Sequence, residues 1–203
     1  MNASNSCKRI LLAAVTAVLA LSMTTLQAAP PKATPAPTQE QKEEQLIKDL
    51  ASPDADKVQN ALGDLESMYD KKLDVTNSFP VIRSLLGDSR EPVRRKAARI
   101  SGIFHLQLTG AELKLVCAQL KASDWKEVQS GLKALRDLNV PSTVPDILPC
   151  LQHPVPGVVR DACRTLAVVA NKDVIPSIQP LLNSPDNAVK KDAQDAIAKL
   201  QAK

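Results

Sequence analysis

"SREPVRRKAARISGIF", residues 89–104, places four Arg and one Lys within eleven positions. Such a stretch is either a patch of charge for a polyanion or one wall of a packed helix. Spacing separates the two readings. With Val93 as origin and ~100° per residue, Ala97, Ile100 and Phe104 fall within about 40° of it. On the same wheel Arg94 lies at ~100°, on the flank, and Arg95 and Arg99 lie at ~200° and ~240°, toward solvent. The stretch is an amphipathic helix whose apolar stripe carries the fold.

The stripe recurs. Val58, Val93, Val128, Val159 and Val189 are spaced by 35, 35, 31 and 30 residues. At +4, +7 and +11 from each stand Leu62, Leu65, Tyr69; Ala97, Ile100, Phe104; Leu132, Leu135, Asn139; Cys163, Leu166, Ala170; and Ala193, Ala196, Leu200. These offsets share one face of an α-helix, and only Asn139 breaks the apolar column. Upstream of each valine a shorter helix is expected to end at Leu50, Leu86, Leu120, Leu151 and Leu182, with Leu46, Ile82, Val116, Ile147 and Ile178 four residues earlier. Polar turns such as "ASPDAD" and "GDSREP" join the two helices and supply capping and turn residues.

A helix ending in Leu, a turn with Asp or Pro, then Val-Arg and a small residue at +4 resembles the HEAT repeat. "DSREPVRRKAARI" and "HPVPGVVRDACRTL" fit the pattern best, and the short period resembles the variant named after phycobilisome lyases. The proline-bearing first helices "VPDILPCL" and "IPSIQPLL" fit as well. The resemblance spans roughly residues 40–203 and implies an all-α superhelix of about five helix pairs. One pair cannot bury its apolar face alone, so stacked neighbours share the core. The repeats are expected at about 39–70, 78–107, 110–140, 143–171 and 174–203, with second helices lining a shallow concave surface.

The N-terminus reads as an export signal over residues 1–28. Lys8 and Arg9 precede the apolar run Ile10 to Met23, and small residues follow, with cleavage after Ala28. A signal anchor that is never cleaved is the rival reading. Cys7 precedes the apolar run, where a lipoprotein cysteine would follow it. Residues 29–38, "APPKATPAPT", have the composition of an extended Ala/Pro-rich linker. The expected location is periplasmic or secreted. Loss of Lys8 and Arg9 lowers the formal charge from +4 to about +2.

That near-neutral charge argues against nucleic acid. Signs alternate at +2 (Asn60, Arg95, Ser130, Asp161, Lys191) and at +6 (Asp64, Arg99, Ala134, Thr165, Asp195), whereas a phosphate backbone requires aligned cations. Aromatics make up 2 % of the chain, too few for a base-stacking surface. Arg95 and Arg99 remain candidates for a local contact, and Trp125 for an interface anchor, against a side chain folded over its own helix start. The resemblance implies a structural ladder at +1, where Arg94, Arg160 and Lys190 pair with turn Asp residues of neighbouring repeats: Asp54, Asp88, Asp124 or Asp186. The longer linkers "DKKLDVTNSFP" and "GIFHLQLTGAEL" are further places for contacts.

Three cysteines remain after the signal: Cys117, Cys150 and Cys163. A disulfide between Cys150 and Cys163 would tie two helices together. The alternative, preferred for all three, is a small buried hydrophobe, Cys163 taking the place of Ala97 and Ala193. Two His without metal-ligand spacing, no His-Glu dipeptide, no HExxH, no GxSxG and no phosphate loop give no catalytic residue, metal or cofactor. The expectation is a non-enzymatic scaffold for a protein partner. The alternative is an accessory or chaperone-like subunit for an enzyme or a chromophore-carrying protein, as with the bilin lyases. Polyanion binding ranks third.

Overall fold

The computed structural model describes residues 36–203. The signal reading at 1–28, Cys7 and linker residues 29–35 lie outside the described residues. Among those described there are ten α-helices and no strand. They follow as five pairs: α1 (Gln39–Leu50) and α2 (Ala55–Asp70), α3 (Phe79–Ser84) and α4 (Glu91–Ile103), α5 (Gly110–Gln119) and α6 (Trp125–Leu138), α7 (Val144–Ile147) and α8 (Pro156–Val169), α9 (Ile175–Ile178) and α10 (Asn187–Gln201).

The first helices differ in kind, and proline explains it. α1 and α5 contain no proline and run continuously. α7 and α9 last one turn and pass into 3₁₀ segments, Leu148–Gln152 and Gln179–Asn183, that contain Pro149 and Pro180. Proline removes an N–H donor and crowds the preceding turn, so the tighter ladder takes over. α3, with Pro80 in its first turn, likewise ends in the 3₁₀ turn Leu85–Gly87.

Turn residues set the starts. Asp54, Asp124 and Asp186 each accept backbone N–H groups of the following helix, at 2.9 Å from Asp56, 2.9 Å from Lys126 and 2.7 Å from Ala188. Thr38 with Gln41 and Thr109 with Glu112 form capping boxes. Thr38, read as linker, thus belongs to the folded unit. The second helices of the first three pairs end next to left-handed residues, Lys72, His105 and Asn139. Asn139 breaks the apolar column because it leaves α6 at φ 52°, a conformation Asn tolerates.

The second helices pack side by side in chain order, α2 to α10, each against the next. The column residues of the four valine offsets are buried, apart from half-buried Tyr69 and exposed Asn139. Tyr69, Phe79 and Phe104 close the seam between pairs 1 and 2, with Tyr69 and Phe104 rings 4.4 Å apart. The two long linkers are less open than their length suggests, since Val75 and Leu106 are buried core residues.

α4 and α6 come close at Gly102, where a Cβ would lie 2.9 Å from the Ala134 Cα and 3.2 Å from its carbonyl oxygen. The obstacle is backbone, which cannot rotate away. Gly102→Ala is therefore expected to cost about 1–3 kcal/mol in urea unfolding. Gly110→Ala, with nothing within 4 Å, serves as control and is expected to be neutral or to stabilise by about 0.5 kcal/mol.

Candidate functional site: the face of the second helices

The exposed side of the second helices is laced with ion pairs that join successive repeats. Glu66 on α2 receives Lys96 at 2.9 Å and Arg99 at 3.2 Å, both from α4. Arg94 reaches from α4 to Glu127 on α6 at 3.0 Å. Its other donors hold the carbonyls of Asp88 and Ser89. Arg95 meets Glu91 on its own helix at 2.9 Å and Asp124 in the next turn at 3.4 Å. On α10, Asp192 takes Arg160 at 2.6 Å and Arg164 at 3.0 Å.

This corrects the sequence reading in two ways. The +1 column is a ladder only in part, and not one onto turn aspartates. Arg94 and Arg160 pair with carboxylates on the next second helix, and Lys190 makes no side-chain hydrogen bond or ion pair among the described residues. The turn aspartates are committed to helix starts, and Asp88 binds its own neighbour Arg90 at 2.7 Å. Arg90 in turn donates to the carbonyls of Ser52 and Pro53 in the preceding turn. Secondly, Arg95 and Arg99 do not stand free in solvent. A helix in a stack has neighbours on two sides, and their acids lie where a single-helix wheel shows only water. Arg95 is 28 % exposed and Arg99 56 %, so Arg99 retains an open edge.

Asp161 is the exception in this network. It is buried, and its nearest cations stay distant, Arg164 at 3.7 Å and Lys133 at 3.8 Å. Burial pushes its carboxyl above the usual carboxylate range, more than these neighbours, Arg136 and Arg160 pull it down. Asp88 behaves oppositely, held below its ordinary value by the Arg90 guanidinium.

Trp125 opens α6 and is 41 % exposed, with the Lys126 ammonium 5.7 Å from its ring centre. It is not folded away under its helix start. Leu115 and Val168 are the other large apolar side chains left exposed among the described residues. The Cys150–Cys163 disulfide is not formed. Both cysteines, and Cys117, are free and buried, with Cys163 inside the valine column of α8. Burial pushes the Cys117 and Cys150 thiols up to about 11 and Cys163 up to about 12. His153 accepts the Val155 N–H at 3.1 Å, and His105 sits 3.0 Å from the Asp137 carbonyl oxygen. Both are therefore engaged with backbone. Among the described residues no group of three His, Cys, Asp or Glu is gathered as for a metal, and no helix is long and apolar enough to cross a membrane.

Two measurements test this picture. Between the unfolded carboxyl value and the raised native one, native Asp161 holds more proton than the unfolded chain. Its contribution to stability is present below that window and lost as pH rises through it. Asp161→Asn is expected to raise the thermal midpoint by about 2–4 °C at pH 7, and the advantage should shrink toward pH 4. For the cysteines, thiol reagent added to native protein is expected to react slowly, and unfolding without reductant to release Cys117, Cys150 and Cys163 as thiols.

No curated protein sequence matches this chain. Residues 113–198 match the family profile described as HEAT repeats. Among solved structures, the complex of CpcE and CpcF of phycocyanin lyase from Nostoc sp. PCC7120 is similar at a TM-score of 0.66 and 19 % identity, over 88 % of this chain and 71 % of that one. A crystal structure of an engineered protein is similar at a TM-score of 0.61 and 19 % identity, covering 78 % of each chain. Computationally designed armadillo repeat proteins for modular peptide recognition give 0.61 and 14 % identity, over 79 % of this chain and 86 % of theirs. These similarities concern the fold. Residues 113–198 thus resemble HEAT repeats, and the helix pairs before them continue the same α-solenoid.

Proposed function

We propose that this chain is an exported, non-catalytic scaffold that holds a protein partner against the face of its second helices. The carrying observation is the network along that face. Glu66, Glu127 and Asp192 each fix a cation of an adjacent repeat, so polar groups are pre-positioned and a partner pays little to order them. The open edges of Arg99, Lys133 and Arg164, each about half exposed, offer distributed polar contacts. Likeness to CpcE and CpcF, which form a complex, supports a protein-binding use of the fold. It also favours a second reading, an accessory subunit for an enzyme or a chromophore-carrying protein.

Two experiments test the reading. A fusion of residues 1–35 to alkaline phosphatase, which is active only outside the cytoplasm, is expected to be active, and deleting residues 10–23 to silence it. Full-length tagged protein is expected to retain a partner from the host envelope, and Arg99→Glu with Lys133→Glu to lower that yield about tenfold or more. Equal yield with the double variant overturns the assignment of the face. A retained partner with visible absorbance favours the accessory reading.

A further inference from the structure

A second surface lies at the turn edge between pairs 2 and 3, and its lining includes Asp88 and the Arg94–Glu127 pair. A groove of about 420 Å³ runs there between the turn Gly87–Ser89 and α5, lined by Leu115, Ala118, Lys121 and Ala122. Leu115 is 40 % exposed, and its side chain stands 3.5 Å from where a Cβ on Gly87 would be. Lys121, two residues past the end of α5, lines the groove, and Lys114 lies one turn before Ala118 on α5 beside Leu115, so the two lysines flank the apolar strip. Trp125 lies in the chain between groove-lining Ala122 and Glu127. Of the three exposed large apolar residues, Leu115 lines the groove, and Trp125 stands three residues past groove-lining Ala122 at the start of α6.

Besides the Arg94–Glu127 pair and Asp88, which Arg90 holds, the edge carries lysines without an acid partner. No carboxylate lies within ion-pair distance of Lys114, Lys121 or Lys126 among the described residues. The nearby acids are committed: Glu112 to the Thr109 N–H, Asp124 to Lys126 N–H and Arg95, and Glu127 to Arg94. One buried group is unmet. Gln119, only 3 % exposed, lines the groove and donates to the Arg94 carbonyl at 3.4 Å, while its Oε1 has no partner. A buried acceptor without a donor is costly, and a backbone N–H brought into the groove would relieve it.

We infer that this edge docks an extended acidic peptide segment of a partner protein, one that places a bulky aliphatic or aromatic side chain beside Leu115 and Trp125 and carboxylates beside Lys114, Lys121 and Lys126. A peptide fits better than a nucleic acid, because the centre of the surface is apolar and the cations only rim it. The inference rests on the reading of the chain as a protein-binding scaffold and adds a contact that meets the second-helix face only at the Arg94–Glu127 pair.

The test uses full-length protein and fluorescein-labelled ten-residue peptides, followed by anisotropy. One peptide alternates Asp or Glu with Leu and Phe. In a second, Lys replaces the acids, and in a third, Ser replaces Leu and Phe. Saturable binding of the first alone is expected, weakened about tenfold by Leu115→Ser and further by Lys121→Glu. Leu115 and Lys121 are exposed, so both variants should fold, and unchanged unfolding curves check this. Arg99→Glu should leave the peptide affinity unchanged, which separates this edge from the second-helix face. Binding of the Lys or Ser peptide as tight as the first overturns the proposal. So does an affinity indifferent to Leu115→Ser and Lys121→Glu. Binding of single-stranded DNA or of phosphatidylglycerol vesicles that these variants reduce, with no peptide binding, assigns the edge to a polyanion instead. An empty capture from the envelope would count against the scaffold reading and leave the peptide titration to stand or fall by itself.

Discussion

The structure depends on burying each second helix from two sides at once. A single helix pair covers only part of the stripe that begins at Val93, and the neighbouring second helices cover the rest. Ala97, Ala98, Ser101 and Gly102 on α4 are buried and small because α6 must come close. At Gly102 the two backbones nearly touch. Thr165 shows the same closeness further along, its hydroxyl lying 3.1 Å from the Leu132 carbonyl of the preceding second helix. Close approach gives dense apolar contact and leaves no room for a water layer, so the seams must be dry and complementary.

Two-sided burial also decides what happens to charge. On α4 and α8 the cations at +1 to +6 lie over the boundary with a neighbour and not over open water. Arg94, Lys96, Arg99, Arg160 and Arg164 each find an acid on an adjacent second helix. The stretch 89–104 therefore carries its charges chiefly for its neighbours. Half-exposed pairs of this kind contribute little each. Their larger consequence is geometric: a side chain held by a bidentate or shared partner no longer sweeps the surface, and the face presents fixed donors and acceptors.

The fold was legible because the apolar column is a local property. Offsets of 0, 4, 7 and 11 survive in a single helix, and burial follows them residue by residue. Asn139 was visible as an exception but not as a cap, since its left-handed backbone depends on where α6 must stop. The first helices were placed correctly by their leucines, while their division into α and 3₁₀ segments depended on prolines such as Pro149 and Pro180. The candidate site was much less legible. A wheel drawn for one helix put Arg95 and Arg99 in solvent because it contains no Asp124 or Glu66. The turn aspartates looked available for ladders because capping and pairing draw on the same residue type. Gln119 gave no signal at all: a glutamine in a helix is unremarkable until its surroundings show that one end has no partner.

The apolar columns alone do not say which repeat follows which. Val, a small or aliphatic residue at +4 and an aliphatic at +7 would pack against any copy of themselves, so a stack specified by hydrophobicity would tolerate misordered pairs. The polar contacts are not interchangeable in this way. Pair 1 is acidic and pair 2 basic, and they meet through Glu66 with Lys96 and Arg99, and through Glu43 with the Ser78 N–H and Asn77. Arg90 fills the carbonyls of the turn before it. Pair 4 meets pair 5 through a different pattern, one aspartate shared by two arginines. Swapping pairs would place Glu43 or Asp192 in a seam without a donor, and an unpaired buried carboxylate costs several kcal/mol. Order along the solenoid is therefore set by the unequal polar groups at each seam, while the equal apolar columns supply the cohesion.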